Sequence, residues 1–385
     1  MTRPLNIAFL GGGVNSAIGQ THKIASQMDG EFVLVAGCFS RDAQINHATA
    51  EAWGIAPARV YASSEALLAA EYQRLDAVVI LTPTPNHEQD IINCLDAGVT
   101  VICEKALVDS VASAKKVSEA LLRTGGRLFV TYNYSGYPMV RELRQRIAAG
   151  ELGNIQQILV EMPQEGFIRC AQSGEVARPQ AWRQADSIIP TLSLDLGVHI
   201  HQLVDFIAQR QAIDVYAVHS HFSSLPNIID TVHAVSRYEG GLVCQYWYGK
   251  SALGYRNGLR IRVLGDKGSA EWLQMEPESL KLTNTYGKIS LIDRTDHDNH
   301  IAHHPRYCRF KAGHPAGFIE AFANYYVDIA HALRGDQNSY CQGITTALAG
   351  LLFLETAHAS ATLQRKVDFI CEPQAAQPVT EGIFE

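Results

Sequence analysis

The sequence has no apolar run of the roughly 18 residues that a membrane helix needs. Charged residues make up only 18%, and the formal net charge of −7 is the opposite of what nucleic acids and anionic membranes attract. The eight cysteines form no C-x-x-C pair, so we interpret them as reduced thiols. No signal-peptide pattern precedes the first apolar stretch. We therefore expect a cytoplasmic protein with no nucleic-acid or membrane partner.

The first third of the chain alternates apolar strands with helical stretches. Each strand is a short continuous apolar run, which is typical of parallel strands buried on both faces. The predicted strands are Leu5–Leu10, Phe32–Phe39, Ala77–Leu81, Val99–Cys103 and Leu128–Tyr132. Glu88–Ala97 and Ser110–Arg123 are typical of connecting helices. Residues 1–132 therefore predict an α/β domain with a parallel sheet.

Residues 133–385 have a different pattern, and a chain of 385 residues is long enough for a second core. After a helix at Met139–Ala149, strands follow one another with short turns, such as Glu239–Gly241. The predicted strands are Ile155–Met162, Val215–His221, Thr231–Tyr238, Leu242–Tyr248, Leu259–Leu264 and Ala270–Trp272. Helices at Ala316–Leu333 and Thr345–Leu363 complete an α+β domain with a large, mostly antiparallel sheet. The stretches 165–190 and 285–314 are polar and irregular, as active-site loops often are.

A glycine triplet follows the first strand and precedes a helical pattern. Gly11 and Gly13 fill the first two glycine positions of G-x-G-x-x-G, while Ser16 stands where the third is expected. Such a turn lets the backbone approach a pyrophosphate at a helix N-terminus. The motif alone is weak, since any tight strand-to-helix turn has similar glycines. We interpret it as a dinucleotide-binding turn.

Two further motifs carry side chains suited to proton transfer. Lys105 comes directly after the strand Val99–Cys103, at the sheet edge where ligands bind in α/β folds. Asp195 and His199 have the i, i+4 spacing that brings two side chains to one helix face. An imidazole has the right pKa for general base work. Taken alone, the pair also fits a capping aspartate and a core histidine, and Lys105 also fits a solvated helix start.

The end of the second strand bears on the form of the cofactor. NAD-binding domains place an acid there to hold the ribose 2′-OH. Here Ser40 and Arg41 occupy the tip, and Asp42 lies one or two residues too far along. The cofactor is NAD or NADP, and these two residues favour NADP. A surface arginine is the alternative interpretation.

Two histidine-containing segments are secondary candidates for a metal site or a substrate contact. The run from Asp296 to His304 contains several possible metal ligands, but we interpret it as a solvated loop and predict no metal site. His314, followed by a proline, opens the first C-terminal helix and is expected to reach the substrate pocket. His201 is expected to be structural, since i and i+2 do not share a helix face.

The chain has a glycine turn, then Glu104-Lys105, and then the D-x-x-x-H of Asp195 and His199. With these three motifs together it resembles the family of glucose–fructose oxidoreductase, inositol dehydrogenase and rhizopine catabolism proteins. The resemblance covers nearly the whole chain. It extends to Asn133-Tyr134 after the last predicted strand of the first domain and to Trp182-Arg183. It implies a Rossmann domain at 1–132, and a domain at 133–385 that shapes the sugar pocket and builds a homo-oligomer, a dimer or tetramer, through the outer face of its sheet.

The resemblance also implies roles for individual residues. Lys105 and His199 match the catalytic pair, and Asp195 matches the conserved acid. Positions matching cofactor contacts are Gly11, Gly13, Val14 and Asn15 at the turn, Thr82, Pro83, Asn86, Glu104 and Lys105 near the nicotinamide, and Trp182 and Arg183 in a covering loop. Ser40 and Arg41 are also expected to bind the cofactor, because they lie at the end of the second strand. The expected substrate-binding residues are Lys105, Tyr134, Asp195, His199 and His314.

Two departures from the family pattern concern the site. Ala106 replaces the proline of E-K-P, which bears on the position of the lysine, and Ser135 replaces the arginine of N-Y-R, which removes a cation. In the polar stretch 164–189, Arg169, Arg178 and Arg183 indicate an anionic substrate group, and the alternative is that they are solvated, as loop arginines usually are.

The function predicted is an NAD(P)-dependent dehydrogenase or reductase acting on a secondary alcohol of a sugar, cyclitol or sugar derivative. Two alternatives stay open. The first is a relative that keeps its cofactor bound and recycles it, giving net elimination, hydrolysis or epimerisation. The second is a cofactor-sensing regulator without catalysis, which is disfavoured because both Lys105 and His199 are present.

Overall fold

The computed structural model describes residues 3–176, 179–180, 183–311, 313–336 and 340–369. Its first sheet is built from β1 (Leu5–Gly11), β2 (Phe32–Cys38), β3 (Ala77–Leu81), β4 (Val101–Cys103) and β5 (Leu128–Val130). All its strand pairs are parallel, in the order β2-β1-β3-β4-β5. Their registers align the carboxyl ends, so the segments that follow β1, β3, β4 and β5 lie at one edge.

A short bridge extends this sheet beyond β2. Gly37 pairs in parallel with Val60, outside the named strands. With Val60 counted as a strand position, the spatial order becomes the 3-2-1-4-5-6 of dinucleotide-binding domains. The order reverses between β1 and β3. Such a reversal opens a crevice at the carboxyl ends, where ligands bind in open α/β sheets.

Helices cover both faces of the first sheet. They are α1 (Ala17–Gln27), α2 (Ala43–Trp53), α3 (Ser64–Glu71), α4 (Thr84–Asp96) and α5 (Val111–Thr124). Neighbouring residues along a strand point to opposite faces, and β1 places Ala8 and Leu10 in one core cluster but Ile7 and Phe9 in another. Both clusters are buried, which explains why the sequence of these strands is continuously apolar rather than alternating.

The second sheet has nine strands among the described residues. After α6 (Pro138–Ala148) they are β6 (Ile155–Pro163), β7 (Ala212–Ser220), β8 (Thr231–Tyr238), β9 (Val243–Gly249), β10 (Arg260–Gly265), β11 (Gly268–Leu273), β12 (Ser279–Asn284), β13 (Ile289–Asp293) and β14 (Val367–Asp368). The order is β13-β12-β11-β10-β6-β9-β8-β7-β14, and only β6 and β9 pair in parallel. The predicted α/β fold with a large, mostly antiparallel second sheet is confirmed. A helix, α7 (Val198–Ala208), packs against β6.

The chain returns to the first sheet near its end. In α8 (Phe318–Leu333), the side chains Phe322, Tyr325 and Tyr326 belong to the core cluster that contains Ile7 and Phe9. The following helix, α9 (Ile344–Leu363), packs on β5 and β7 and so contacts a strand of each sheet. The domain boundary drawn after residue 132 stays a prediction, since α8 lies beyond it yet completes this core.

The sequence missed the two-residue strand β14 and the two strands β12 and β13. β12 directly precedes the stretch 285–314 that we interpreted as irregular, and β13 lies within it. Apolar and polar residues alternate in both strands, and apart from the buried Leu280 their residues are partly buried or exposed. Such strands, at the edge of a sheet or next to it, carry a weak apolar signal. In the described ranges, no helix combines the length and apolar character needed to cross a membrane.

Candidate active site

The glycine turn is longer than G-x-G-x-x-G requires. Gly11 and Gly12 have φ angles of 80° and 72°, and a Cβ on Gly12 would lie 2.5 Å from Leu81 Cδ1. Ser16 is the N-cap of α1, and its Oγ accepts a hydrogen bond of 3.2 Å from Gly19 N–H. A Cβ on Gly19 would lie 1.9 Å from the Gly12 carbonyl oxygen. Gly19 therefore permits the close helix approach for which the third glycine of the motif is needed.

A crevice of about 940 Å³ opens at the carboxyl ends of the first sheet. Its size suits a dinucleotide, because ligand clefts range from about 300 to 1,000 Å³. Of the predicted cofactor residues, those lining it are Gly11, Asn15, Ser40, Arg41, Thr82, Pro83, Asn86, Glu104, Lys105 and Arg183. Gly13 and Val14 face α2 instead, where Val14 N–H donates to Thr49 Oγ1 at 3.1 Å. Trp182 lies outside the described residues.

The end of the crevice beside β2 is lined by hydroxyls and a guanidinium. Ser40 and Arg41 are joined there by Ser63 and Ser64 at the start of α3, which the sequence had not suggested. Asp42 caps α2, and its carboxylate accepts the N–H of Gln44 at 2.8 Å. The lining acids among the described residues are Asp90 on α4 and Glu104 after β4, not residues at the tip of β2.

A buried network fixes Glu104 at the end of β4. Its Oε1 accepts from Thr131 Oγ at 2.6 Å and lies 3.1 Å from His22 Nε2. The other ring nitrogen of His22 lies 2.7 Å from the Tyr326 hydroxyl on α8. Burial would raise the pKa of Glu104, but the hydrogen bond and charge of His22, with the charge of Lys105, hold it below its ordinary value. Three elements thus hold the residue that precedes Lys105. Sequence reasoning missed His22.

Lys105 reaches across to the second part of the chain. Its Nζ donates to the backbone carbonyl of Asp195 at 2.9 Å and lies 3.3 Å from Asp195 Oδ1. The peptide bond from Lys105 to Ala106 is cis. The Ala106 carbonyl lies 3.0 Å from His87 Nδ1, and the other ring nitrogen of His87 lies 2.6 Å from the Thr82 carbonyl. His87 therefore ties the loop after β3 to the loop that carries the lysine.

Asp195 lies in a π-helical turn, Ser193–Gly197, that leads into α7. The sequence predicted an ordinary helix here, and π turns are frequent at functional sites. Besides Lys105, its carboxylate bonds Lys250 through Oδ2 and Arg183 through Oδ1, the latter at 3.3 Å. Burial would raise the pKa of Asp195, but the charges of Lys105, Lys250 and Arg183 lower it well below its ordinary value. Asp195 is therefore an anion throughout the physiological range.

His199 is buried in the first turn of α7. Burial, followed by the charge of Lys105, lowers its pKa to about 3, so the imidazole is neutral. Its ring meets the edge of the Tyr134 ring with centroids 4.8 Å apart. Its Nδ1 has no hydrogen-bond partner among the described residues. The predicted residues Lys105, Asp195, His199 and Tyr134 thus come together, with a neutral base beside an ammonium group.

Three other predicted features lie elsewhere. His314 is exposed in the loop before α8, which begins at Phe318, and it is not among the described residues lining the crevice. The helix begins later than expected because Gly317 is its N-cap. His201 packs on Phe353 inside the core, where burial lowers its pKa to about 4. Asp296, His297 and Asp298 lie close enough to share a cation, but they are largely exposed, as acidic groups without a metal often are.

Lys250 was missed, although a signal for it exists. It follows β9 directly, just as Lys105 follows shortly after an apolar strand. Within β9 the buried residues Tyr246 and Tyr248 alternate with more exposed ones, and Lys250 continues their face. The Tyr248 hydroxyl lies 2.8 Å from Ser193 Oγ in the π turn. The same face of β9 therefore contacts the π turn and carries Lys250 to Asp195.

Two family models match the chain. The model described as an oxidoreductase family with an NAD-binding Rossmann fold matches residues 5–132. The model described as the GFO/IDH/MocA C-terminal domain matches residues 140–271. Together the two models span more than half of the chain.

Relatives match over nearly the whole length. The uncharacterized oxidoreductase YfiI of Bacillus subtilis (strain 168) is 28% identical over 385 residues, covering 94% of this chain and 95% of that protein. A crystal structure of an oxidoreductase from Pseudomonas syringae has a TM-score of 0.85 and 28% identity, covering 96% of this chain and 100% of that one. The crystal structure of an inositol dehydrogenase homolog from Azotobacter vinelandii, complexed with NADH and myo-inositol, has a TM-score of 0.86 and 26% identity. It covers 96% of this chain and 98% of that one.

Proposed function

The chain belongs to the GFO/IDH/MocA family of oxidoreductases, and on that premise we propose that it interconverts a secondary alcohol and a ketone of a sugar, cyclitol or sugar derivative, using a nicotinamide dinucleotide. The observation that carries the proposal is the contact between Lys105 and Asp195 beside the buried His199. The contact joins the crevice of the first sheet to the helix that carries the candidate base. The myo-inositol bound by the Azotobacter vinelandii homolog supports a polyol substrate.

The residues of the crevice fit a dinucleotide. Gly11 and Gly12 keep the backbone open where a Cβ would meet Leu81 or Thr82 at the end of β3, and the N-terminus of α1 offers N–H groups to a pyrophosphate. Thr82, Asn86 and Glu104 line the other end, next to Lys105. When bound there, the nicotinamide supplies the acceptor or donor of the hydride.

The side chains around Asp195 supply the proton chemistry. His199, neutral because burial lowers its pKa to about 3, accepts the proton of the substrate hydroxyl. The Lys105 ammonium donates a hydrogen bond to the oxygen as negative charge develops on it. Asp195 keeps Lys105 in place through two contacts. In the reducing direction the protonated imidazole returns the proton to the carbonyl oxygen.

For the form of the cofactor, we propose NADP. Ser40, Arg41, Ser63 and Ser64 line the crevice beside β2, where they offer donors to a 2′-phosphate. Asp42, the nearest acid in sequence, is engaged as the cap of α2. An acid at the strand tip would favour the unphosphorylated ribose instead.

The outer face of the second sheet supports a homo-oligomer, which we propose to be a dimer or tetramer. Tyr216, Val218 and Val235 lie on neighbouring strands of this face and are nearly half exposed. Contiguous exposed apolar side chains of this kind are typical of protein contact surfaces. Sedimentation of the purified protein tests the state, and a monomer at micromolar concentration would contradict it.

We also propose a cytoplasmic location. The seven cysteines in the described part of the chain are free thiols, and several are buried in strands or helices. Free thiols are typical of a reducing compartment. Fractionation of cells that make the protein tests this, and recovery in a secreted fraction would contradict it.

The function is tested by offering NAD+ and NADP+ to the purified protein with a panel of sugars and cyclitols. We expect the absorbance of the reduced nicotinamide to appear with at least one member, and faster with NADP+. A cofactor that copurifies, never exchanges and never accumulates in reduced form would favour internal recycling. Tight cofactor binding without turnover of any substrate would favour a sensor.

A further inference from the structure

The two carboxylate oxygens of Glu104 have different surroundings. Oε1 accepts a hydrogen bond from Thr131 Oγ1 at 2.6 Å and lies 3.1 Å from His22 Nε2. Oε2 has no hydrogen-bond partner among the described residues, and Glu104 is one of the residues that line the cofactor crevice. Only 9% of its side chain is exposed. The carboxylate is therefore fixed by one oxygen and leaves the other for a ligand in the crevice.

His22 supplies a hydrogen-bond donor to Glu104 in either charge state of its ring. Its side chain is fully buried in α1, with Nδ1 2.7 Å from the Tyr326 hydroxyl and Nε2 directed at Glu104. An ionised carboxylate can only accept, so Nε2 carries a proton. In the neutral ring, Nδ1 then accepts the Tyr326 hydroxyl proton. The buried contact with Tyr326 thus orients the ring so that an N–H is aimed at Glu104.

Lys105, the next residue, does not bond Glu104 directly. Its Nζ contacts the backbone carbonyl and Oδ1 of Asp195, and no hydrogen bond or ion pair joins it to Glu104 in the described part of the chain. Burial would raise the pKa of Glu104, but the hydrogen bond and charge of His22, followed by the charge of Lys105, lower it below its ordinary value. Glu104 is therefore an anion at neutral pH, on the wall of the crevice.

The charge of Glu104 matters because the two redox states of a nicotinamide differ in charge. The oxidised ring carries a positive charge that the reduced ring lacks. Hydride transfer from a carbinol carbon to the ring removes this charge, and the reverse transfer to a carbonyl carbon, with a proton from His199, restores it. A fixed anion in a partly buried site attracts the charged ring more than the neutral one.

Resting on the function proposed above, we propose that His22 holds Glu104 as an anion at the nicotinamide end of the crevice, and that this anion favours the oxidised cofactor over the reduced one. His22 is then a positioning residue, since it acts through Glu104. On the protein, the equilibrium between alcohol with oxidised cofactor and ketone with reduced cofactor is shifted toward the alcohol.

The experiment measures dissociation constants of NADP+ and NADPH, and of NAD+ and NADH, without substrate. Glu104→Gln removes the charge and keeps the shape of the side chain. We expect the ratio of the reduced-form to the oxidised-form dissociation constant to fall by roughly tenfold, as for charges several ångströms apart in a partly buried site. Glu88→Gln is the matched control, because Glu88 pairs with Lys116 on the same domain and does not line the crevice. It is expected to leave the ratio unchanged.

His22→Leu tests the positioning role through the dependence of the same ratio on pH. Leucine keeps an apolar side chain in the buried space and removes the N–H, so the pKa of Glu104 rises. We expect the ratio for this variant to be low at about pH 6 and to increase toward the wild-type value at about pH 9. In Glu104→Gln the ratio is expected to stay low throughout. His22→Gln, whose amide can donate to Glu104, is expected to restore part of the ratio at the lower pH.

The neighbours of Glu104 leave this pH range to Glu104 itself. The titratable groups that act on it or feel its charge, besides His22, are Cys103, Lys105, Tyr132, His199 and Tyr326. Burial raises the pKa of the thiol and of both phenols. Burial, followed by the charge of Lys105, lowers the pKa of the imidazole to about 3. Lys105 is present in every variant, so its effect is common to all of them.

The possible outcomes separate this inference from the proposed function. An unchanged ratio in Glu104→Gln overturns the inference, while cofactor binding by the wild type leaves the proposed function standing. A ratio for His22→Leu that matches the wild type at every pH, or stays equally low at every pH, overturns the role of His22. Thermal unfolding shows whether His22→Leu is folded, and Glu104→Gln decides the inference if it is not. If the wild type binds neither pair of dinucleotides, the proposed function and this inference fail together.

Discussion

Two lysines reach one carboxylate from opposite sides, and the regions that carry them are built differently. Lys105 follows β4, a parallel strand buried on both faces, and the preceding Glu104 is fixed by His22 and Thr131. Lys250 follows β9, a strand in which buried and more exposed residues alternate. The carboxyl end of a doubly wound sheet is a general ligand site, whereas the end of a strand in a mostly antiparallel sheet is not. Position in the fold therefore predicts that Lys105 lies at a ligand-binding edge, while only the contact with Asp195 shows that Lys250 reaches the same carboxylate.

The first way to sharpen this comparison is to remove the candidate base, His199, on which the charges of Lys105 and Asp195 act. His199→Asn is expected to lower turnover by roughly two to four orders of magnitude, because it removes the acceptor of the hydroxyl proton. Affinity for the cofactor is expected to stay within a few-fold of the wild type. Steady-state kinetics and a binding titration measure the two. Near-native turnover of this variant would show that another group takes the proton.

The second prediction concerns the crevice on the Lys105 side. Gly19→Ala places a Cβ 1.9 Å from the Gly12 carbonyl oxygen, so α1 or the turn must shift. We expect a loss of cofactor affinity and a destabilisation of about 3 kcal/mol, typical of overpacking. Gly350→Ala is a matched control in α9, because its Cβ would meet its nearest neighbour, His201 Nδ1, at an ordinary 3.4 Å. Equal cofactor affinities and equal free energies of unfolding for the two variants would show that the helix does not need to approach the turn this closely at Gly19.

The third prediction is a dependence of stability on pH. The folded pKa of His199 is about 3, below the ordinary 6.5, so between these values the unfolded chain binds a proton that the folded chain does not. Stability therefore rises with pH in this window and falls on acidification. From pH 7 to pH 5, His199 alone is expected to remove about 2 kcal/mol, and His201 acts in the same direction. Denaturant unfolding of the wild type and of His199→Asn at pH 7 and pH 5 measures the change in the free energy of unfolding. An equal change in the two proteins would contradict the prediction.

The smallest effect is expected at the far end of the crevice. Arg41→Ala is expected to lower the preference for NADP+ over NAD+ by roughly tenfold, the effect of one lost charge-assisted hydrogen bond. Arg74→Ala, a change at an arginine not lining the crevice, serves as the control. An unchanged ratio of the two dissociation constants would remove Arg41 from cofactor discrimination.

The sequence predicted the first sheet and the residues at its edge because buried parallel strands give continuous apolar runs that end at the ligand site. It could not show that Gly19 takes over the role of the third glycine, since that depends on the length of the turn before α1. It missed His22 and Lys250, because their partners lie in distant segments. It also missed β12, β13 and β14, which are short or weakly apolar strands toward the two edges of the second sheet. The expectation that His314 reaches the substrate pocket stays a prediction; the residue lies exposed in the loop before α8.

The central claim is that Lys105 and His199 act on a hydroxyl at the end of the cofactor crevice. Parallel measurement of NADP+ affinity and substrate turnover for the wild type and Lys105→Met tests it most directly. We expect turnover to fall by roughly a hundredfold or more, the contribution of a positioned acid–base group, while NADP+ still binds. A Lys105→Met variant that reduces the cofactor at the wild-type rate would contradict the account.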